Sequence, residues 1–362
     1  SIDIAEVSSG GGSIAWVDKA GALQAGPKSA GSVPGPVCYD SGGEEPTVTD
    51  ANVILGYLNQ THLLAGSFPI NADKAGDAIK DRVGMPLGMS QTEAAWGVHL
   101  LVNSNMGRAL RAVSSERGRD PRRFTLMAFG GGGPIHAAGL AETLGISRVI
   151  VPPSPGVFSA FGLLFADVEH HFVRTHFKAF PELNLDEVNG LLDNLKTEGH
   201  RLLSAEGFNK PQHEIQTQLD MKYIGQTSEM TINMGPYGFS QQSIAEVTES
   251  FMVEHEKTYG YRVDEPFQLV SIRIIARGIS QRSRVPERIT LNDLGNSDQL
   301  SDRMVYFGTE HEWIKTPVVD RLGLGEDTNK GPIIVEEYDS TTVVPPGWKV
   351  RLDPMRNIIL ET

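Results

Sequence analysis

The sequence is poor in cysteine, in clustered positive charge and in long apolar runs. Cys38 is the one cysteine among 362 residues, so an internal disulfide framework and zinc motifs with two cysteines are excluded. Lys and Arg number 32 against 45 Asp and Glu and are scattered, which argues against a DNA or RNA partner. No apolar run reaches the length of a membrane span, and residues 1–20 lack the order of a signal peptide. We therefore expect a cytoplasmic protein with no nucleic-acid and no membrane partner.

Apolar periodicity distinguishes strands from helices in the first half of the chain. Residues 1–60 are short apolar stretches broken by glycine and proline, which predicts strands and loops. Over residues 91–117, apolar side chains recur at three- and four-residue steps, as on one face of a long buried helix. FTLMAF at 124–129 predicts a fully buried strand and ISRVIVPP a second one, with a helix opening at Pro134 between them. This segment is expected to form a βαβ unit.

The second half of the chain is richer in strands. The charged segment EHHFVRTHFKAFPELNLDEV indicates a passage from one domain to another. After it we predict, in order, an amphipathic helix over 186–208, a hairpin, a helix over 242–259, a long alternating strand, a short strand near 304–307, and a compact β tail. These patterns predict three domains, with bounds at 1–175, 176–285 and 286–362.

The segment FGGGGPIHA at 129–137 places four consecutive glycines between a strand and a helix. Open α/β sheets bind ligands at such a position, because free amides and the helix dipole favour a phosphate or a nucleotide edge. The segment is neither a Walker A loop nor a GxGxxG motif. A tight packing turn without a ligand is the alternative interpretation. On either interpretation, His136 is expected to be a capping or packing residue rather than a base.

A second glycine turn, SSGGGS at 8–13, offers Ser8, Ser9 and Ser13 as hydrogen-bond donors. The alternative is a flexible hairpin between two strands. Three aspartates near the N-terminus are metal or water ligands by type, but carboxylates without ligand spacing are more often caps or solvated ends. They are Asp3, Asp18 and Asp50.

The histidines of the middle segment are a weak metal candidate. His170, His171 and His176 lie on one predicted strand. Adjacent histidines of a strand cannot easily bind one ion, and no carboxylate or cysteine stands at ligand spacing, so a metal site is the less favoured interpretation. Cys38 lies in a Gly/Pro loop with no histidine nearby in sequence, and we interpret it as structural.

Taken together, several long blocks resemble the hydantoinase A/oxoprolinase family, which includes N-methylhydantoinase, 5-oxoprolinase and acetone and acetophenone carboxylase subunits. The resemblance runs in order over residues 1 to 362. The blocks that carry it are AEVSSGGGSIAWVD, GPKSAGSVPGPVCYDSGGEEPTVTDANVILG, FTLMAFGGGGPIHAAGLAETLG, VIVPPSPGVFSAFGLL, DMKYIGQTSEMTI, YGYRVDEPFQLVSIRI and GPIIVEEYDSTTVVPPGW.

The resemblance implies an α/β fold: part of an ATPase core like that of actin, Hsp70 and sugar kinases, followed by α+β and β-rich C-terminal domains. Such a core carries DxGGT-like and DMGGT-like phosphate loops, and this sequence contains neither. It also lacks an initiator Met, so we expect it to be the C-terminal portion of a family member whose N-terminal lobe is a separate chain, cleaved off or not included.

The resemblance also implies which residues bind the cofactor. Gly130, Gly131, Gly132 and Gly133 match the family's FGGxGP turn, with Gly132 where alanine is common. The block around Gly10, Gly11 and Gly12 matches VGAGGGSIAWVD, with Ser8 and Ser9 in place of Gly-Ala. Both turns are expected on the adenosine side of ATP, since bare backbone lets a base or ribose lie against it.

In this family ATP is thought to phosphorylate a carbonyl or enol oxygen, and a hydantoinase B-type subunit completes the chemistry. We expect an ATP-dependent amidohydrolase that acts on a cyclic amide, in a hetero-oligomer. Mg²⁺ and most phosphate contacts would lie in the absent lobe, so no catalytic residue and no metal ligand is assigned here, and the chain alone should be inactive. The alternatives are a subunit of a ketone carboxylase and a non-catalytic assembly platform, whose exposed TTVVPPGW segment docks a partner. Trp348 of this segment is an interface anchor on the platform alternative, although a core tryptophan is the favoured interpretation.

Overall fold

The computed structural model describes residues 4–235, 237–263, 265–279 and 300–362. They form two compact units, one running up to Gly162 and resuming at residues 300–362, the other over 163–279. The last strands of the chain thus belong to the same unit as its first 162 residues, and the division into three domains stays a prediction. Within the described ranges, no helix combines the length and the apolar character needed to cross a lipid bilayer.

The first unit begins with short strands and then becomes helical. Its elements up to the boundary are β1 (Ser13–Val17), β2 (Leu23–Ser29), α1 (Val48–Ile54), β3 (His62–Leu63), β4 (Phe68–Pro69), α2 (Ala72–Ile79), α3 (Met85–Leu87), α4 (Gln91–Val113), β5 (Leu126–Met127), α5 (Gly133–Leu144), β6 (Arg148–Val151) and α6 (Phe158–Leu163).

The long helix predicted over 91–117 is confirmed as α4. Its start is fixed by a capping box, in which the Ser90 hydroxyl accepts from the Glu93 amide and the Glu93 carboxylate accepts from the Ser90 amide. Its buried face packs against α1 and α2, with Ala94, Val98 and Val102 fully inaccessible to solvent.

The second unit is an antiparallel sheet with two helices. Its elements are β7 (Val168–Ala179), α7 (Leu185–Ala205), β8 (His213–Tyr223), β9 (Met230–Met234), α8 (Gln241–Tyr259) and β10 (Phe267–Gly278). The strands pair in the order β7-β10-β8-β9. Leu192 of α7 and Phe251 of α8 join Leu219, Met221 and Ile272 of the sheet in one apolar core. The predicted helices, hairpin and long strand of this region are confirmed.

The C-terminal strands complete the first unit. They are β11 (Leu300–Tyr306), β12 (Trp313–Val319), β13 (Asn329–Lys330), β14 (Ile333–Glu336), β15 (Thr341–Val344), β16 (Lys349–Leu352) and β17 (Ile358–Glu361). One sheet has the order β11-β12-β14-β15 and another the order β13-β16-β17-β6-β5. In the second sheet β5 and β6 are parallel and joined by α5, so the predicted βαβ unit is confirmed. The sequence patterns did not reveal β12.

The prediction of a fully buried strand at 124–129 is wrong. β5 contains only two residues and lies at the edge of its sheet, where it pairs with β6 alone. Phe124, Met127 and Phe129 are consequently 54%, 48% and 44% exposed. The apolar run resembled a central strand because its composition does not show that a neighbouring strand is missing on one side.

The expectation of an exposed docking segment at TTVVPPGW is also wrong. Thr341, Thr342, Val343 and Val344 form β15 and are buried. Trp348 is 3% exposed and donates its indole N–H to Glu142 Oε1 at 2.6 Å. β15 is buried because it packs against α5 as well as pairing with β14, whereas Pro345 and Pro346 are half-buried and Gly347 is exposed.

A buried ion pair lies between the two larger sheets of the first unit. Arg321 is 5% exposed, and its Nε and Nη2 donate to the two carboxylate oxygens of Glu337 at 2.6 and 2.8 Å. The same guanidinium donates to the carbonyl oxygens of Val151, Pro152 and Arg356 at 3.2, 2.9 and 2.7 Å. Burial raises the pKa of Glu337 although Arg321 acts in the opposite direction.

We predict that Arg321→Met destabilises the first unit by about 3 to 5 kcal/mol, because it leaves a buried carboxylate and three carbonyls without their donor. All four tryptophans lie in the first unit, so tryptophan fluorescence in a urea titration reports its unfolding. Arg122→Met is the matched control: its side chain is 72% exposed, and its solvated pair with Asp120 should contribute little to the free energy of unfolding. Equal shifts for the two variants would contradict the prediction.

Candidate functional site

Both predicted glycine turns line one cavity of about 680 Å³ in the first unit. Residues of the turn at 8–12 stand on one side, and Gly131, Gly132 and Gly133 on another. The remaining lining comes from α1, from the segment around β3, and from the turn between β14 and β15. Two segments that are about 120 residues apart in the sequence therefore meet at one cavity, and their contact with a shared ligand stays a prediction.

The glycine turn after β5 leaves amide groups unused. Gly130 has φ of 84° and donates its N–H to Pro155 O at 2.7 Å, so glycine is required there by the left-handed backbone. Among the described residues, the N–H groups of Gly131 and Gly132 have no hydrogen-bond acceptor. Gly133 begins α5 and Pro134 follows it in the first turn. The turn thus points the positive end of a twelve-residue helix toward the cavity region.

The turn between β14 and β15 supports this glycine turn. Ser340 Oγ donates to Gly131 O at 3.3 Å and lies 3.5 Å from Gly130 O. Asp339 Oδ2 accepts the N–H of Gly156 at 2.9 Å. A Cβ at Gly156 would lie 2.7 Å from that oxygen, so the chain can approach Asp339 only without a side chain. Residues near the C-terminus thereby position a loop about 200 residues earlier.

The turn at 8–12 is held by its neighbours and is not a hairpin. Residues 4–7 carry no strand, and the turn leads directly into β1. Gly11 O accepts from Thr49 N at 2.9 Å, and Gly10 N donates to Ser13 Oγ at 3.0 Å. A Cβ at Gly11 would lie 2.7 Å from Thr49 Oγ1, and one at Gly12 2.8 Å from a serine hydroxyl, so close packing requires both glycines. A Cβ at Gly10 would meet no atom within 4 Å.

The described aspartates that the sequence analysis considered as ligands accept hydrogen bonds from backbone amides, and Cys38 is a buried side chain. Asp50 is fully buried and accepts from the amides of Val37, Cys38 and Thr47 and from the Thr47 hydroxyl, at 2.7 to 3.1 Å. Asp18 accepts from two amides in the turn between β1 and β2. Asp3 lies outside the described residues. Cys38 is buried, and burial, reinforced by the Asp50 charge, raises the pKa of its thiol, so it is no nucleophile.

The histidines at 170, 171 and 176 are in the second unit, away from the cavity lining. His170 Nε2 contacts Glu206 at 2.9 Å and His171 Nε2 contacts Glu169 at 3.1 Å. His176 is buried, and its Nε2 has no hydrogen-bond partner in the described part of the chain. In the part of the chain that the structure describes, no group of three His, Cys, Asp or Glu side chains is placed to hold a metal ion.

The cavity lining carries negative charge that is mostly neutralised. Its charged members are Glu336, Glu337 and Asp339, and no Lys or Arg side chain is among the described residues that line it. Arg303 Nη1 donates to Glu336 Oε2 at 2.7 Å, and Glu337 is paired with Arg321. The carboxylates are thus structural anchors, and the cavity offers no cationic side chain to a polyanion.

The apolar part of the lining has the character of a ring-binding pocket. It includes Tyr39, Leu58, Met106, Phe129 and Ile135. Two further lining residues, Leu64 and Ala65, have left-handed φ angles of 52° and 49°. Non-glycine residues in this region cost roughly 1 to 3 kcal/mol each and concentrate at ligand sites.

A series of buried, hydrogen-bonded side chains, called the buried chain, runs from Asn52 to His136 and has both ends in the cavity lining. His136 Nδ1 lies 2.7 Å from Asn103 Oδ1, Asn103 Nδ2 lies 3.1 Å from His99 Nε2, and His99 Nδ1 lies 3.2 Å from Asn52 Oδ1. Asn52 and His136 both line the cavity, and all four residues are at most 6% exposed. His136 is a packing residue as expected, but the sequence analysis missed the other three. The i, i+4 pair of His99 and Asn103 on the apolar face of α4 was the available signal.

Burial lowers the pKa of both histidines. The pKa of His136 falls to about 4, and that of His99 lies well below its usual value, because desolvation disfavours the imidazolium and the two rings stack 4.7 Å apart. Both rings are therefore neutral at physiological pH, and each can donate one hydrogen bond and accept another.

Two family models cover almost all of the chain between them. Residues 1–172 match the model described as hydantoinase/oxoprolinase, and residues 182–362 match the model of the hydantoinase/oxoprolinase C-terminal domain. The chain belongs to the hydantoinase/oxoprolinase family. This confirms the resemblance drawn from the sequence blocks.

Relatives within the family cover the chain from end to end. Caprolactamase subunit alpha of Pseudomonas jessenii is 37% identical over 98% of this chain and 51% of its own length. The crystal structure of ATP-dependent caprolactamase from the same organism matches with a TM-score of 0.80 at 36% identity, over 97% of this chain and 52% of that one. A nucleotide-free structure of acetone carboxylase, described under ATP-dependent acetone carboxylation, matches with a TM-score of 0.70 at 26% identity, over 98% and 52%.

The chain therefore spans about half the length of the curated relative and of the solved chains that it matches. The expected α/β class is confirmed as a mixed α/β fold shared with these structures.

We predict that acid weakens the first unit through His99 and His136. Below pH 6.5 the unfolded chain binds protons that the folded chain excludes down to about pH 4 for His136. The free energy of unfolding should therefore fall as the pH drops through this window, by up to about 1.4 kcal/mol per pH unit for each histidine, and stay constant above it.

Urea titrations followed by tryptophan fluorescence at pH 7, 6 and 5 measure this dependence. His136→Gln should give a shallower slope than the unmodified chain, because Gln can still bond Asn103 but does not titrate. His171→Gln, at a half-exposed histidine of the second unit, is the control and should leave the slope unchanged. A His136→Gln slope equal to that of the unmodified chain would refute the assignment.

Proposed function

We propose that the chain is the nucleoside-binding portion of an ATP-dependent enzyme that activates a cyclic amide carbonyl by phosphorylation for hydrolysis. The observation that carries this proposal is the convergence of Gly10–12 and Gly131–133 on one cavity with apolar walls. Bare backbone allows a flat base and a ribose to approach closely, and Tyr39 and Phe129 offer aromatic surface beside it. The proposal includes the actin-like ATPase architecture for the first unit and the three-domain division.

The charges of the cavity support a division of the nucleotide between this chain and other polypeptide. Unused amides at Gly131 and Gly132 can contact a phosphate edge, but no cationic side chain stands among the described lining residues to neutralise a triphosphate. A phosphoryl-transfer site needs such neutralisation. We propose that an N-terminal ATPase lobe supplies it, and that this chain alone is inactive.

Mg²⁺ is implied for this chemistry, but the described residues do not suit it. Glu336 and Glu337 are engaged by Arg303 and Arg321, and Asp339 by the Gly156 amide. Mg²⁺ requires oxygen ligands that are free to complete an octahedron. We therefore assign no Mg²⁺ ligand to this chain.

The proposed reaction transfers the γ-phosphoryl group of ATP to the amide carbonyl oxygen, which gives ADP and a phosphorylated amide open to attack by water. Attack by water and cleavage of the ring C–N bond give an open-chain amine and an acyl phosphate, and a second water hydrolyses the acyl phosphate to the carboxylate and inorganic phosphate. The caprolactamase relatives favour this choice of a cyclic amide. The acetone carboxylase structure favours the alternative, in which the phosphoryl acceptor is a ketone enolate oxygen and carboxylation follows.

A partner subunit is the other part of the proposal. The caprolactamase relative is named as a subunit, so hetero-oligomers occur in the family. We propose a hydantoinase B-type partner and a cytoplasmic location. The non-catalytic platform remains an alternative, but without the TTVVPPGW surface, since that segment is buried.

We predict that calorimetry detects weak or no binding of ATP with Mg²⁺ by the chain alone. Addition of the polypeptide that corresponds to the other half of its relatives should strengthen binding at least tenfold, or about 1.4 kcal/mol, because both parts of the nucleotide are then held. Tight binding by the chain alone would contradict the divided site, and no binding by the assembly would contradict the proposed function.

Gly132→Leu tests whether the nucleotide occupies this cavity. A Cβ at Gly132 meets no atom within 4 Å, so the fold should tolerate leucine while its side chain fills open space at the cavity lining. We expect the assembled protein to lose at least tenfold in ATP affinity, or about 1.4 kcal/mol. Gly190→Leu, in α7 of the second unit and equally unobstructed, is the control. Unchanged affinity in Gly132→Leu would place the nucleotide elsewhere.

A further inference from the structure

The hydrogen bonds of the buried chain from Asn52 to His136 have one direction. Asn103 Oδ1 accepts from His136 Nδ1–H, Asn103 Nδ2–H donates to His99 Nε2, and His99 Nδ1–H donates to Asn52 Oδ1. His99 thus donates once and accepts once, whereas His136 donates once and keeps its acceptor nitrogen free of the chain. Reversing one link would set two donors or two acceptors against each other, so the three links are coupled.

This direction determines whether Asn52 and His136, at the two ends, present a hydrogen-bond donor or an acceptor to the cavity. His136 donates through Nδ1, so its Nε2 carries a lone pair, and among the described residues the hydrogen bond of this ring is the one made by Nδ1. Asn52 accepts through Oδ1, which leaves both N–H groups of Nδ2 as donors, again with no described acceptor. Both residues line the same cavity. One wall therefore carries an acceptor and a donor, separated by the His99 ring that stacks on His136.

We propose that Asn52 and His136, oriented by His99 and Asn103, are specificity-determining residues that select an amino-purine over an oxo-purine. His136 Nε2 accepts from the exocyclic amine of adenine, and Asn52 Nδ2 donates to the ring nitrogen N1 beside it. This inference rests on the proposed function, because it assumes a purine nucleotide in the cavity. An oxo-purine presents a carbonyl where the amine stands and an N–H at the ring nitrogen, so it meets both protein groups with the wrong polarity.

The physical basis of selection is the cost of leaving buried polar groups unpaired. A site built to bond a donor and an acceptor rejects a ligand that lacks them far more strongly than an apolar pocket does. Both ends of the chain are at most 5% exposed, and water can replace a lost partner there only poorly. Coupling through Asn103 makes the two ends act together rather than as separate contacts.

The orientation can be measured in the chain without any ligand. Long-range ¹H–¹⁵N NMR spectra should show His99 and His136 as neutral Nδ1–H tautomers at pH 7, whereas an unconstrained histidine prefers Nε2–H. A His136 ring that is charged or protonated on Nε2 would overturn the proposal, because its acceptor would then be absent from the cavity.

Selectivity is tested by calorimetry of ATP and inosine triphosphate in the assembled protein, since the two ligands differ only at this edge of the base. We expect ATP to bind at least tenfold more tightly. Equal affinity would overturn the inference and leave the proposed function standing. Failure of both nucleotides to bind would overturn the proposed function and this assignment with it.

Asn103→Leu separates a positioning role from a merely structural one. It removes both links of Asn103, so His136 should revert toward Nε2–H in the NMR spectrum and the ATP preference should fall below threefold. Asn105→Leu, two residues away on α4 and outside the buried chain, should keep both properties. Equal weakening of the two nucleotides in Asn103→Leu, with the tautomer unchanged, would overturn the positioning role. If Asn103→Leu does not fold, the histidine tautomers and the ATP preference of the unmodified protein still test the proposal.

Discussion

The guanidinium of Arg321 is the contact on which the glycine-lined cavity depends. It is buried, and a buried cation is tolerated only when its donors are satisfied, which here requires Glu337 and the carbonyls of Val151, Pro152 and Arg356. These partners belong to the end of β6, to the turn before β17 and to the residue after β14. Satisfying one side chain therefore brings three distant segments together. Glu337 then starts the turn whose Asp339 and Ser340 support the two loops beside it.

Much of the local structure follows from sequence periodicity. The α4 helix, the βαβ unit around α5 and the strands of the second unit were predictable because their apolar spacing and their caps lie within short windows. The wrong predictions concern the burial of β5 and β15, which depends on the elements beside them. β5 is exposed because, among the described strands, it pairs with β6 on one side only, and β15 is buried because α5 covers it. A short window of sequence shows neither which strands pair with β5 nor that α5 packs against β15.

The candidate site shows the same limit. Four consecutive glycines signalled a turn that a ligand could approach, and the structure brings that turn to a cavity beside Gly10–12. The residues that decide its chemistry gave no such signal. Ser340 supports Gly131 from 209 positions away, and Asn52 meets His99 across 47. Each looks ordinary in sequence, because its role arises only from long-range packing.

On the proposed function, the chemistry of the cavity links nucleotide binding to the assembly of this chain with other polypeptide. Neutral donors and acceptors, aromatic surface and free amides suit a nucleoside, whereas Asp339 has no cationic partner among the described residues and would repel nearby phosphates. If the phosphates are held by other polypeptide, a nucleotide stabilises the assembly that binds it and neither part alone. The effect is reciprocal: the factor by which the nucleotide strengthens assembly equals the factor by which assembly raises the affinity for the nucleotide. On the proposed function, nucleotide binding and assembly are one equilibrium.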